Sequence, residues 1–251
     1  MTAQLAIFAP KLIGEIAAGD DLAAKIGDAL VCECPPAVGD VVVVAQKIVS
    51  KAEGRKVALA AVEPSCDAVA LAKRTGKDPR LVELVLRESA SVMRAKPGVL
   101  IVRHRLGLVM ANAGIDQSNL DAADHALLLP VDPDGSAARL AATLSERFGG
   151  ALGVVISDSF GRAWRHGSVN VAIGAAGIPT LWDRRGEYDR NGRMLIATEV
   201  AVADALAAAA GLVMGEGAEG CPVALVRGFA APGVPGCAGD LIRPSQTDLF
   251  P

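Results

Sequence analysis

Aromatic side chains are scarce in this chain of 251 residues: Trp, Tyr and Phe together make up 3% of it. Its core must therefore be aliphatic. The apolar share of 51% is ample for one and excludes a disordered or collagen-like chain. A surplus of positive charge is also missing. Lys and Arg number 25 against 28 Asp and Glu, a net charge of −3, and no long basic run occurs. That excludes nucleic acid as the main partner, because gripping a phosphate backbone takes clustered cations. A small anion, which needs only a few local arginines, stays open. No apolar run reaches the ~18 residues of a membrane span; the nearest, 200–214, carries Asp204. The first residues lack the basic segment and apolar core of a signal peptide. The five cysteines, Cys32, Cys34, Cys66, Cys221 and Cys237, form no tight framework, so reduced thiols and a cytoplasmic location are expected. Cys32-Glu33-Cys34 has no partners at zinc-like spacing.

Several catalytic devices are absent as well. There is no GxxxxGK[ST], no GxGxxG after a strand, no GxSxG, no HExxH and no EF-hand loop. His104, His125 and His166 do not fall at metal-ligand spacings.

What is present is a mixture of short apolar runs and helical patterns, without a repeat or a low-complexity linker. Strands are expected at 5–13, broken by Pro10, and at 41–45, 99–102, 106–110, 154–156 and 222–226. Helices are expected at 22–31, 67–75, 79–92, 136–148 and across most of 194–214. The pattern predicts an α+β chain with two intimately joined lobes in a single domain over 1–251. The segment 46–55 follows a buried strand and carries Gln46, Lys47, Lys51, Glu53 and Arg55. It reads either as an exposed loop or as a ligand loop where a strand ends. In 113–119, Asp116 and Asn119 suit a metal, a nucleotide or an Asx turn.

The most charged stretch is 153–193. An apolar run, Val154-Val155-Ile156, gives way at Ser157-Asp158-Ser159, a polar strand tip that suits a cation or a phosphate. Arg162, Arg165 and His166 follow, then Asp183-Arg184-Arg185-Gly186-Glu187. The competing reading is a surface loop laced with ion pairs. Taken together, the carboxylates Asp116, Asp158 and Glu216 suit Mg²⁺ or Mn²⁺. The cations Lys51, Arg55, Arg162 and Arg165 suit charge on a transferring phosphoryl group. The residues thus point to a metal-assisted enzyme acting on a phosphorylated ligand.

Five blocks, VVVVAQKIVSKAEGR (41–55), RLGLVMANAGIDQSN (105–119), VVISDSFGRAWRHGSVNVAIGAAGI (154–178), TEVAVADALAAAAGLVMGE (198–216) and PVALVRG (222–228), closely resemble the coenzyme F-420:L-glutamate ligase family, also called coenzyme F-420-0:gamma-glutamyl ligase. They fall in the family's order and cover nearly the whole chain. The likeness is to the stand-alone ligase, without the nitroreductase-like C-terminal domain of some actinobacterial relatives. It implies the α+β fold peculiar to that family, an intertwined homodimer, and GTP-driven joining of L-glutamate to the free carboxylate of F-420-0. Later glutamates are joined through the gamma-carboxylate. It also implies two divalent cations per subunit, Mg²⁺ or Mn²⁺, with help from K⁺.

Carried onto this chain, the resemblance makes Ile13-Gly14-Glu15-Ile16 the first GTP-contacting segment, with Gly14 where relatives commonly have Pro. Gln46, in place of the Ser of some relatives, and Lys51 fall at nucleotide-contacting positions, as does Asn119. Met214, Gly215, Glu216 and Gly217 open a further nucleotide segment that runs to Cys221. Asp116 and Asp158 are implied ligands of the first metal, Ser159 and Glu216 of the second. Lys51 would offset phosphate charge. Arg162 and Arg165 suit bidentate holding of a carboxylate, the acceptor's or the incoming glutamate's. Two other readings compete: a gamma-glutamyl ligase for a pterin or folate acceptor, and a non-catalytic deazaflavin- or nucleotide-binding protein.

Overall fold

The computed structural model describes residues 4–117, 124–230 and 232–248. At its centre is a mixed five-stranded sheet. Its strands are β1 (Ala6–Phe8), β2 (Val41–Ala45), β8 (Gly153–Arg162), β9 (Arg165–Ala176) and β12 (Val223–Arg227), in the spatial order β1-β12-β2-β8-β9. β2 and β8 run parallel, with Ala45 opposite Ser157, while the other neighbours are antiparallel.

The apolar runs in β2, β8 and β12 are continuous rather than alternating because both faces of the sheet are covered. Val42, Val44, Val154, Ile156, Val223 and Leu225 face helices α1 (Leu22–Glu33) and α5 (Pro133–Phe148). Val41, Val43, Val155, Ala224 and Val226 face α6 (Val202–Met214), whose Ala203, Ala207 and Ala210 allow close approach. A third apolar cluster joins α3 (Cys66–Thr75) and α4 (Pro79–Arg87) to β5 (Val99–His104). β5 is the middle strand of a three-stranded sheet with β4 (Ser89–Lys96) and β6 (Val109–Ala111). Two further pairs are β3 (Lys56–Ala58) with β7 (His125–Leu127), and β10 (Leu181–Asp183) with β11 (Glu199–Ala201). The mixed α and β content matches the expected fold class.

Helix starts follow their caps. Asp21, Ser65, Asp78 and Asp132 each accept a backbone N–H of the first turn of α1, α3, α4 and α5 respectively. Several elements differ from expectation. The segment after β2 is a helix, α2 (Gln46–Ala52), rather than a loop; Ile48 and Val49 bury against the core, and that packing outweighs its weak propensity. The expected helix over 79–92 ends at Arg87, and Val92 lies in β4. Residues 194–201 are not helical: they lead through β11 into α6. β8 does not stop at Ser159. Full burial ends at Ser157, but the strand runs on to Arg162 as a two-stranded ribbon with β9.

One irregularity fixes the register of that ribbon. Ile156 pairs with Gly174 and Ser157 with Ala172, so Ile173 is an extra residue on β9. Two carboxylates hold the backbone on either side of it. Asp204 of α6 accepts the Ala172 N–H at 2.9 Å, and Asp134 of α5 accepts that of Ala175 at 2.8 Å. Gly174 lies against the Pro133 carbonyl so closely that a Cβ would overlap it.

Among the described residues, no helix is long and apolar enough to cross a membrane.

Candidate active site

The parallel pair brings the ends of β2 and β8 out together, which sets Gln46 and Asp158 beside each other one residue beyond the last pairing of the two strands. Gln46 is buried, and the Ser50 hydroxyl, one turn on in α2, donates to its Oε1 at 2.9 Å. With the carbonyl end committed, the amide NH₂ is left to hydrogen-bond the Asp158 carboxylate. The Ser159 backbone N–H also donates to that carboxylate.

Asp116 enters from the other side. Two backbone hydrogen bonds with Leu127, at 3.0 and 2.8 Å, pin it next to β7. Its Oδ2 lies 2.7 Å from Lys47 Nζ, on the first turn of α2. Burial pushes the Asp158 carboxyl up to about 7; the Asp116 charge adds to the rise, while Lys47, Gln46 and the Ser159 N–H oppose it. Two carboxylates are thus held within electrostatic reach of each other.

That like-charge stress is what a divalent cation relieves, so these residues fit a Mg²⁺ or Mn²⁺ ion. Among the described residues no group of three or more His, Cys, Asp or Glu is gathered for a metal. Two carboxylates are nonetheless enough for Mg²⁺, which fills its shell with water and substrate phosphates.

The other expected residues are placed as follows. Lys51 lies in the last turn of α2 with its side chain only 18% exposed and its Nζ 3.7 Å from Glu15 Oε2. The structure therefore joins Lys51 to the segment 13–16. There Ile13 and Ile16 are buried in the core while Gly14 and Glu15 face outward. Gly14 has φ +69°, a backbone that proline, fixed near −65°, cannot take. Met214 closes α6, buried, and Gly215, Glu216 and Gly217 follow it. The loop enters β12 at Pro222, whose carbonyl accepts the Ala45 N–H at 2.8 Å. It therefore lies at the same end of the sheet as Gln46. Glu216 is exposed, while Glu219 folds back to accept the Gly217 N–H at 2.8 Å.

Ser159 is exposed on β8. Successive strand residues point to opposite faces, so its side chain takes the face of Ser157, and Asp158 that of Ile156. Arg162 and Arg165 pair across the exposed tip of the ribbon. Arg162 is four residues past Asp158, about 13 Å along an extended chain; the structure does not bring these arginines to the carboxylate pair. Asn119 lies outside the described residues. Arg55, grouped above with the phosphate-binding cations, instead bonds Leu129 O at 2.8 Å and Glu88 at 3.1 Å. Lys47 was not among the expected site residues. Lys47 lies four residues from Lys51, the spacing of one helix face, but the carboxylate it meets is distant in sequence.

Comparison with known proteins agrees with the resemblance. Residues 12–228 match the family model described as F420-0:Gamma-glutamyl ligase. A protein of Methanothermobacter thermautotrophicus named coenzyme F420:L-glutamate ligase is 47% identical over 94% of this chain and 94% of its own length. Its namesake from Methanopyrus kandleri is 49% identical over 84% of this chain and 82% of its own. That from Methanocaldococcus jannaschii is 42% identical over 88% of both. The chain belongs to the F420-0:gamma-glutamyl ligase family.

Proposed function

We propose that this chain is a GTP-dependent ligase that joins L-glutamate to the carboxylate of coenzyme F-420-0, then adds gamma-linked glutamates. The relatives' names supply coenzyme F420 and L-glutamate. The observation that carries the reading is the pair Asp116 and Asp158, set with Gln46 and Lys47 where β2 and β8 end.

The chemistry follows from the acceptor. A carboxylate is a poor electrophile, so an amide forms only after activation. The acceptor carboxylate oxygen attacks the GTP γ-phosphorus, the bond to the β-phosphate oxygen breaks, and GDP leaves. The resulting acyl phosphate is attacked at its carbonyl carbon by the glutamate amine. Phosphate departs, the nitrogen loses a proton, and an amide remains. Two divalent ions per subunit would supply neutralisation of the charge that develops on the phosphates; K⁺ is proposed as an accessory ion. Asp116 and Asp158 would hold the first ion, Ser159 and Glu216 the second. Gln46, the outward turn at Gly14 and Glu15, Asn119 and the loop opened by Met214, Gly215 and Gly217 would contact GTP. Lys51 would face its phosphates. Arg162 and Arg165 would hold a substrate carboxylate, brought in over the ribbon. The reading places the reaction in the cytoplasm, in a homodimer whose subunit has two lobes, one around the five-stranded sheet and one around α3 and α4. Support for the dimer comes from apolar side chains one chain leaves in solvent: Trp164 (84% exposed), Leu212 (87%) and Ile196 (80%).

Mass spectrometry of F-420-0 incubated with the protein, GTP, L-glutamate and Mg²⁺ or Mn²⁺ tests this directly. Product heavier by successive glutamyl residues, with GDP released in step, is the expected result. An unchanged mass with either metal overturns it, and glutamylation of a pterin or folate instead would reassign the acceptor.

A further inference from the structure

Lys47 occupies a position that calls for a cation. Its Nζ is 2.7 Å from Asp116 Oδ2, and its charge also acts on Asp158. Neither carboxylate is free to retreat from the other. Asp116 is tied through its backbone to Leu127, and Asp158 lies within a paired strand. A cation beside them relieves their repulsion. The helix does not call for a lysine there, since a cation in a first turn opposes the helix dipole. Ion pairing is not a strong anchor either: the Lys47 side chain is 39% exposed, and a pair so open to water is worth little.

We infer that Lys47 is a built-in placeholder for the divalent ion, an ammonium that holds Asp116 and Asp158 together until the ion displaces it. The inference rests on the proposed metal site. A divalent ion outcompetes one ammonium because it offers twice the charge and binds both carboxylates directly. The displaced Lys47 stays on α2, four residues from Lys51 on the same helix face, with a flexible stem that can turn toward solvent. Two neighbouring ammonium groups then flank the site, a natural seat for the phosphates of a nucleotide. Lys47 thereby couples the two ligands. It weakens ion binding in the absence of nucleotide and gives the charge back when phosphate arrives.

The test is Mn²⁺ binding to the full chain without nucleotide, followed by calorimetry and by the electron paramagnetic resonance of free Mn²⁺. Melting curves are recorded in chelator and in saturating Mn²⁺. Lys47→Met should bind Mn²⁺ roughly fivefold or more tightly than the wild type. It should also melt lower in chelator and gain more from Mn²⁺. Lys47→Arg keeps the charge and should stay near the wild type. Lys47→Gln, which keeps a polar stem, serves should the Met variant fail to fold. Equal or weaker Mn²⁺ binding by a folded Lys47→Met or Lys47→Gln overturns the placeholder role. So does binding that appears only with GTP in wild type and variant alike. No Mn²⁺ uptake by any of these proteins, with or without GTP, removes the metal site itself and the inference with it.

Discussion

Arg55 Nη2 donates to Glu88 Oε2 at 3.1 Å, tying the turn between α2 and β3 to the end of α4. The contact spans the sheet-centred core and the α3/α4 cluster. Arg105 reaches the same oxygen at 2.6 Å, and His104 Nε2 stands 3.6 Å away. His104 Nδ1 accepts the Leu106 N–H, so the neutral ring carries its proton on Nε2, toward Glu88. Burial alone would raise the Glu88 carboxyl, but His104, Arg55 and Arg105 outweigh it and hold the group at about 2, against an ordinary 4.5. A depressed pKa means stability that is complete above the unfolded value and lost as pH falls toward the folded one. Glu88→Gln should therefore lower unfolding free energy by roughly 3 kcal/mol at pH 7. Its deficit should shrink between about pH 4.5 and 2. Urea titrations across that range check it; a deficit that stayed constant would mean the ion network is not the cause.

Asp116→Asn and Asp158→Asn should each lower kcat/KM for glutamylation by roughly 10³-fold, since a bound ion supplies several kcal/mol to phosphoryl transfer. Both variants should remain folded, because each removes charge from a repelling pair. Product formation by mass spectrometry in excess Mn²⁺, with a melting curve beside it, is the measurement. Activity within tenfold of wild type for either variant would count against that residue as a ligand.

The cations should separate by kinetic parameter. Lys51→Met is expected to raise KM for GTP about tenfold, the loss of one phosphate contact. Glu15→Gln should change it far less, because Glu15 is 92% exposed and its pair with Lys51 is loose. Arg165→Ala should raise KM for glutamate or for F-420-0 and leave that for GTP alone. Unchanged KM values for both carboxylate substrates would end the role proposed for Arg165.

Gly174→Ala should destabilise the protein by roughly 2 kcal/mol or more, as the new methyl group must displace the Pro133 backbone at the start of α5. Thermal or urea unfolding will show it. A loss under ~0.5 kcal/mol, the range of an ordinary surface change, would mean that α5 moves freely against β9.

Much of the frame was legible. The runs at 41–45 and 222–226 announced buried strands because each is apolar at every position, and Asp21 marked the start of α1 because a carboxylate there can take a free N–H. α2 was not legible, since Ile48-Val49 favours a strand locally and only their burial in the core makes a helix. β4 was hidden because its exposed SASVMRAK has neither an apolar run nor clean alternation. The ribbon beyond Ser159 was missed for a related reason: pairing continued there after burial had stopped. In the site, Asp116 and Asp158 were read from the family's pattern. Lys47 was not, because its partner is 69 residues away in sequence and only the fold brings it near.

The clamps at Ile173 carry a consequence for how this chain tolerates change. Val154, Val155 and Ile156 are apolar on both faces of β8, so the apolar pattern alone does not distinguish this strand from one shifted by one position. Such a shift would turn Asp158 toward α6 and offer the hydroxyl of Ser159 or Ser157 to α2. The pattern therefore leaves the phase to local contacts, among them Asp134 and Asp204, which grip β9 beside its extra residue. A one-residue insertion within 154–157 would therefore turn the carboxylate away from α2.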